Sequence, residues 1–234
     1  MPSETTIAEH REIQQAAKAV LSELAEQITA VDTERSIADK AYAGLCRHGL
    51  TETWYYSCPA LVLLGSRSCL SISGRDYEPG LEPVGEFNLV TVDVSPLRDG
   101  RWGDCARSFF IEQGRATNEP SSPELQIGRR FLASLHADMP AFVRPETTFH
   151  ELFQWAERRI AAAGFELLDF LANVGHSLGT RREERQFIQE QNPLCLNEVP
   201  FFTFEPHVRT VGGRWGFKRE DIFFFRQDGR LDIL

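Results

Sequence analysis

The sequence has no CxxC pair, no long apolar run and no basic cluster, and each absence excludes something. Cys46, Cys58, Cys69, Cys105 and Cys195 form an odd set without paired spacing. That argues against a disulfide frame and for free thiols in a reducing compartment. No apolar run approaches the ~18 residues of a membrane span. The first residues, MPSETTIAEHREIQQ, are polar and lack the apolar segment of a secretory signal. A formal charge of -9 without a basic run makes a poor ligand for nucleic acid or an anionic membrane. The expectation is a soluble, cytoplasmic chain. What is present is a chain of 234 residues that is 42% hydrophobic, enough to bury a sizeable core.

The chain reads as one plan used twice. Residues 12–50 give a helix (EIQQAAKAVLSELAEQI), a joint (TAVDTE), a second helix (RSIADKAYAGLCRHG) and a glycine stop. Residues 124–164 repeat this as ELQIGRRFLASLHADM, PAFVRPET and TFHELFQWAERRIAAAG. Apolar positions recur at three and four in both second helices, at Ile37, Ala41, Leu45 and at Phe149, Phe153, Ala156, Ile160. Gly49 and Gly164 fit the residue after a helix end. Each helix pair leads into strand-like segments rich in Val, Phe, Ile and Leu. These are WYYSCPALVLLG, NLVTVDVSP and DCARSFFI in the first half, and ELLDFLANVGHSLG, VPFFTFEPHV and EDIFFFRQDGRLDIL in the second. TNEPSSP (117–123) is the linker. The expected fold is α+β: two halves, about 12–116 and 124–234, related by a pseudo-twofold, with helices outside a curved antiparallel sheet and residues 1–234 forming one domain.

Five residues stand in contexts that call for chemistry: Asp93 in VDVSP, Asp104 in GDCARSF, His176 in GHSLG, Glu205 in FTFEPH and Glu220 in KREDIFFF. Asp99-Gly100 is a hairpin-turn dipeptide. If those two residues make the turn, Asp93 faces Ala106, and Asp104 lies two residues away on the same face of the sheet. Asp93 also interrupts a valine-rich run, and Glu205 stands among phenylalanines, where an unpaired charge is costly. The glycines beside His176 let a backbone or substrate come close. Taken singly, each has an ordinary reading. For the aspartates it is a turn-flanking surface position, and for His176 a structural histidine. For Glu205 and Glu220 it is strand-end capping or an ion pair with Arg209, Lys218 or Arg219. Taken together, carboxylates plus one imidazole suit two divalent ions, Mn, Co, Fe or Zn, rather than a thiolate zinc site.

These motifs resemble the methionine aminopeptidase, prolidase and creatinase family, the pita-bread metallopeptidases, from about residue 12 to 232. The resemblance implies Asp93, Asp104 (with Arg107 in GD-x-x-R), His176 (GH-x-x-G), Glu205 (FT-x-EP) and Glu220 (KRED for R-x-ED) as metal ligands. It leaves no room for the separate N-terminal domain usual in prolidases. Two family histidines are replaced. Ser73, Arg75 and Asp76 fill the segment before the first aspartate, and Glu183 stands seven residues after His176.

The expected activity is hydrolysis of a peptide or small amide by metal-activated water. Glu205 moves the proton, and His207 and Glu183 are further candidate catalytic groups. Arg75 or His207 would help at the oxyanion. Arg75 also suits a substrate carboxylate, and Tyr56, in Trp54-Tyr55-Tyr56, would line the pocket. The alternatives are C–N or C–S cleavage of a small metabolite on the same centre, and a non-catalytic pita-bread binding module. A homodimer is an open expectation.

Overall fold

The computed structural model describes all residues from Met1 to Leu234. Two helix pairs form where the periodicity places them. Helix α1 (Glu4–Gln27) starts at the Ser3 hydroxyl, which accepts from the Thr6 N–H, and α2 (Glu34–Arg47) starts at a capping box of Thr33 and Ser36. Helix α3 (Pro123–Phe142) opens with Pro123 in its first turn, and α4 (Phe149–Ala162) opens with a capping box of Thr148 and Glu151. Gly49 (φ 73°) and Gly164 (φ 75°) end the second helix of each pair in the same left-handed conformation. The matched caps and stops are the local trace of the repeat.

Three expectations need correction. Helix α1 begins well before residue 12, because Ile7 continues the buried stripe of Ile13, Ala17, Val20 and Leu24. Pro140 lies inside the last turn of α3 rather than in the joint. The segment before Pro59 is a turn, with Tyr56 (φ 49°) and Ser57 (φ 57°) left-handed, so the strand starts only at Ala60.

The first half builds a four-stranded antiparallel sheet in the order Ala60–Leu64, Phe87–Val94, Cys105–Glu112, Arg115–Thr117. The hairpin register is the one the Asp-Gly turn dictates. Asp93 faces Ala106, Leu97 faces Trp102 and Arg98 faces Arg101, with Asp99 (φ 52°) and Gly100 (φ 73°) in the turn. The second half is not one continuous sheet. Phe217–Lys218, His207–Thr210 and Phe165–Leu167 form one antiparallel ribbon, and Phe202–Phe204, Asp221–Phe225 and Leu231–Ile233 form another. Asn173–His176 pairs with Phe187–Gln189. Pro206 lacks an N–H for a ladder and separates Phe202–Phe204 from His207–Thr210. Both ribbons nevertheless keep one register, since Phe204 faces Asp221 and His207 faces Lys218. Glu205 and Glu220 therefore stand opposite each other in the gap between them.

Apolar residues of α1 and α2 pack on the four-stranded sheet, and those of α3 and α4 pack on the second half. Leu89 and Phe110 from the first half join the second core, so the halves share apolar surface.

The joint between α1 and α2 carries a buried charge. Asp32 accepts from the Thr29 N–H and hydroxyl, from Ser36 and from Lys40 at 2.6 Å. Burial alone would raise its pKa, but Lys40 and the hydrogen bonds outweigh it and hold the carboxyl at about 2. A carboxyl with a folded pKa below its unfolded value stabilises fully above the unfolded value, and that contribution disappears as pH falls through the folded one. Asp32→Asn should therefore cost about 2 kcal/mol in urea unfolding at pH 7. The gap to wild type should hold down to about pH 4 and close as pH approaches 2.

Candidate metal centre

The five expected ligands converge at the seam between the halves. Asp93 comes from the strand Phe87–Val94, and Asp104 from the turn just before Cys105–Glu112. Asp104 is fixed through its backbone by a buried side chain of α1. The Gln14 amide donates to the Asp104 carbonyl at 2.6 Å and accepts from its N–H at 2.9 Å. His176 ends its strand at a point where neighbouring backbone presses close. A Cβ on Gly175 would come within 2.2 Å of the Thr203 carbonyl oxygen, so only glycine fits before the histidine. The His176 N–H donates to the Thr203 hydroxyl at 3.0 Å. His176 Nδ1 lies 3.0 Å from the Ser177 carbonyl, which can only accept, so Nδ1 carries the proton and Nε2 keeps its lone pair. That lone pair points at carboxylates, with Asp104 Oδ2 at 3.4 Å and Glu205 Oε1 at 3.6 Å. The Glu205 N–H donates to the Val174 carbonyl at 2.8 Å, and the Glu220 N–H to the Ala106 carbonyl at 3.0 Å.

Ligand atoms gather in two overlapping groups, Asp104–His176–Glu220 and Asp93–Glu205–Glu220, each within 4.8 Å. Asp104 Oδ2 and both Glu220 carboxyl oxygens are buried and have no hydrogen-bond partner. Burial outweighs the pull of His176 and raises the Asp104 carboxyl to about 6, and burial with the carboxylates of Asp104, Glu205 and Asp93 holds Glu220 well above the ordinary carboxylate range. Buried carboxylates without partners are what a cation would satisfy, and the oxygen and imidazole donors suit a divalent transition metal. The residues fit the group.

One side chain in the cluster appeared in the sequence only as an ion-pair alternative. Lys218 Nζ is 2.5 Å from Asp93 Oδ2 and 3.2 Å from Glu205 Oε2. Burial would lower its pKa, but Asp93, Glu205 and Glu220 hold it well above its ordinary value. In turn, Lys218 and then His176 outweigh the burial of Glu205 and keep that carboxyl below its usual value.

A cavity of about 490 Å³ opens above the cluster. His207 lines it and is buried, with Nε2 2.7 Å from the Ser68 carbonyl. Burial, with Lys218 nearby, pushes its pKa down to about 4. Arg75 and Tyr56 meet at the rim, where the guanidinium donates to the Tyr56 hydroxyl at 3.1 Å. Glu183 also stands at the rim, exposed and paired with Arg182 at 2.8 Å, apart from the ligand cluster. The sequence reading missed two arginines. Arg182 stacks 3.6 Å over the Tyr56 ring, and Arg185 lies among Trp54 (5.1 Å), Tyr55 (5.7 Å) and Phe187 (5.2 Å). The signal was there in TRREERQ, a charged run directly after GHSLG.

Adding Mn²⁺ to chelator-treated protein should raise its melting temperature, because a ligand that binds only the folded state stabilises it by about 2.7 kcal/mol at one hundred times Kd. Asp104→Ala should abolish both metal binding and this rise in differential scanning calorimetry. An undiminished Mn²⁺ response in that variant would remove Asp104 from the centre.

Comparison with known proteins agrees with this geometry. The family described as metallopeptidase family M24 matches residues 8–227. A methionine aminopeptidase of Chlamydia trachomatis serovar D is 28% identical over 138 residues, covering 58% of this chain and 44% of that protein. A probable dipeptidase PepE of Mycobacterium tuberculosis is 25% identical over 206 residues, covering 86% of this chain and 49% of that protein. The chain thus spans about half the length of the curated relatives it matches. The prolidase from Pyrococcus furiosus superposes with a TM-score of 0.81 at 19% identity, over 100% of this chain and 64% of that one. The dipeptidase PepE from Mycobacterium ulcerans superposes with a TM-score of 0.78 at 21% identity, over 99% of this chain and 58% of that one. With its family match running over nearly the whole length and its fold that of the pita-bread prolidases, the chain belongs to metallopeptidase family M24.

Proposed function

We propose that the chain is a metal-dependent hydrolase that cleaves the amide bond of a short peptide, or of a small amide, bearing a free acidic group. The observation that carries this reading is the charge layout of one cavity. Its floor holds the buried Asp104 carboxylate, with an oxygen that has no partner, beside an imidazole lone pair; its rim holds Arg75 and Arg182, and Arg185 lines the wall between. The dipeptidases and aminopeptidases among the relatives support the reaction class.

Asp104, His176 and Glu220 would hold metal, with Glu205 in reach. When bound there, a divalent ion supplies Lewis acidity, lowering the pKa of water and polarising a carbonyl. Glu205 is ionised at neutral pH, so it first accepts the proton of the attacking water and then passes it to the leaving nitrogen. His207 is neutral and gives its Nε2–H to the Ser68 carbonyl. It has no second N–H for an oxyanion, and its open Nδ1 accepts from a substrate N–H instead. Glu183 is tied to Arg182, and its part is to orient that arginine. Arg185 is held by its Nε–H on the Arg182 carbonyl at 3.1 Å, and its charge is felt at Glu205. It therefore stands between floor and rim, where a substrate carboxylate would be gripped.

A second reading, C–N or C–S cleavage of a small metabolite, draws on the same rim. Apart from His176, the only imidazole lining the cavity is His207.

Mn²⁺-loaded protein should hydrolyse dipeptides with a free C-terminal carboxylate and spare their amidated forms. Arg185→Ala should raise KM for the free acids ~10–100-fold, the loss of about 1.5–3 kcal/mol from a hydrogen bond to a charged group, with kcat changed far less. No turnover across a peptide panel, alongside loss of one small metabolite in a mass-spectrometric screen, would favour the second reading.

A further inference from the structure

The two ligand groups differ in one respect. In Asp104–His176–Glu220, Asp104 Oδ2 and both Glu220 oxygens are without partners and the His176 Nε2 lone pair is open. In Asp93–Glu205–Glu220 a positive charge is already in place, because Lys218 Nζ bridges Asp93 at 2.5 Å and Glu205 at 3.2 Å. A transition-metal ion needs carboxylate oxygens at ~2.0–2.2 Å. An ammonium that already occupies one oxygen of each of these two carboxylates competes with an ion for them, and the two cations would also repel each other in a poorly solvated site.

Lys218 is not placed there by chance of a loose side chain. Its N–H donates to the Ser108 hydroxyl at 2.9 Å, and that hydroxyl donates to its carbonyl at 3.0 Å. Its backbone also pairs in register with His207. The side chain is 19% exposed, so its stem is packed and its head faces the carboxylates. We propose that Lys218 is a built-in cation replacing one metal ion, so that the chain binds a single divalent ion at Asp104, His176 and Glu220 rather than the pair its five-ligand set suggests. Asp93 then serves as the counter-ion of Lys218. Glu205 is shared between Lys218 through Oε2 and the ion's neighbourhood through Oε1, which lies 3.6 Å from His176 Nε2. The ammonium supplies a fixed positive charge at the cavity floor that chelators cannot remove.

This inference rests on the metal-dependent reading, and counting bound metal separates the two. The full chain is treated with chelator, desalted and titrated with Mn²⁺, and bound ions are counted by equilibrium dialysis and mass spectrometry. Electron paramagnetic resonance distinguishes an isolated ion from a coupled pair. Wild type should saturate at one Mn²⁺ per chain with the isolated signal. Lys218→Met should take up a second ion and show the coupled signal, and Lys218→Gln gives the same test should the methionine variant not fold. Asp93→Asn in the wild-type background should leave the count at one. Two ions in wild type, a count of one in a folded Lys218 variant, or loss of an ion in Asp93→Asn would each overturn the single-ion assignment and leave the hydrolase reading standing. Zero ions in wild type would overturn both.

Discussion

The site depends on one buried carboxylate that no reaction uses. Asp221 follows Glu220 and is 1% exposed. It is reached by Arg107 at 2.7 Å from the first-half sheet, by Lys18 at 3.4 Å from α1, and by its neighbour Arg219 at 3.2 Å. Burial alone would raise its pKa, but Arg107 and Lys18 outweigh that and keep it ionised. Arg107 also donates to the Glu220 carbonyl at 2.6 Å. A single guanidinium thus holds two consecutive residues of the other half. Removing either partner would strand a buried charge, the costly way to break such a pair. The candidate ligands come from both halves, and this clamp ties the strand that follows Glu220 to the first-half sheet.

What could be read from the sequence was whatever short-range rules govern. The Asp99-Gly100 turn determines a register by counting, and the structure keeps that register from Arg98–Arg101 out to Phe87–Glu112. The capping residues Thr33 and Thr148 and the stops Gly49 and Gly164 follow from local backbone needs. What could not be read were contacts between distant residues. Trp54-Tyr55-Tyr56 looks like a strand because aromatic residues favour strands, yet a tertiary context turns it into a left-handed bend that brings the rings over the cavity. Gln14 looks like any polar helix position until its amide is seen closing both ways on Asp104.

Lys218 illustrates the same limit within the site. In KRED it differs from the family motif only by one basic residue for another, a change that looks conservative. Lysine and arginine are not interchangeable, however. Arginine presents a planar, delocalised fork suited to bidentate pairing, whereas an ammonium is a compact point charge that can sit between two carboxylates. The structure shows it bridging Asp93 and Glu205. Spacing alone could bring these carboxylates together but could not say what neutralises them.

The layout also reconciles an acidic chain with an arginine-lined mouth. The chain carries -9 overall, and the floor of the cavity is rich in carboxylates, with the Lys218 ammonium among them. A small acid approaching such a protein would be repelled were the rim not positive, and because salt screens charges beyond a Debye length of about 8 Å, the arginines at the mouth dominate what it meets there. A dipeptide is a dipole on that scale, with an amine at one end and a carboxylate at the other. With Arg185 between floor and rim and Arg75 and Arg182 at the rim, the favoured orientation is the one that leaves the substrate carboxylate on the arginine side of the cavity. Under the hydrolase reading, selectivity then comes from the field of the cavity rather than from shape. The arginines fixed by Tyr56, Glu183 and the Arg182 backbone are the part of the site that sets it.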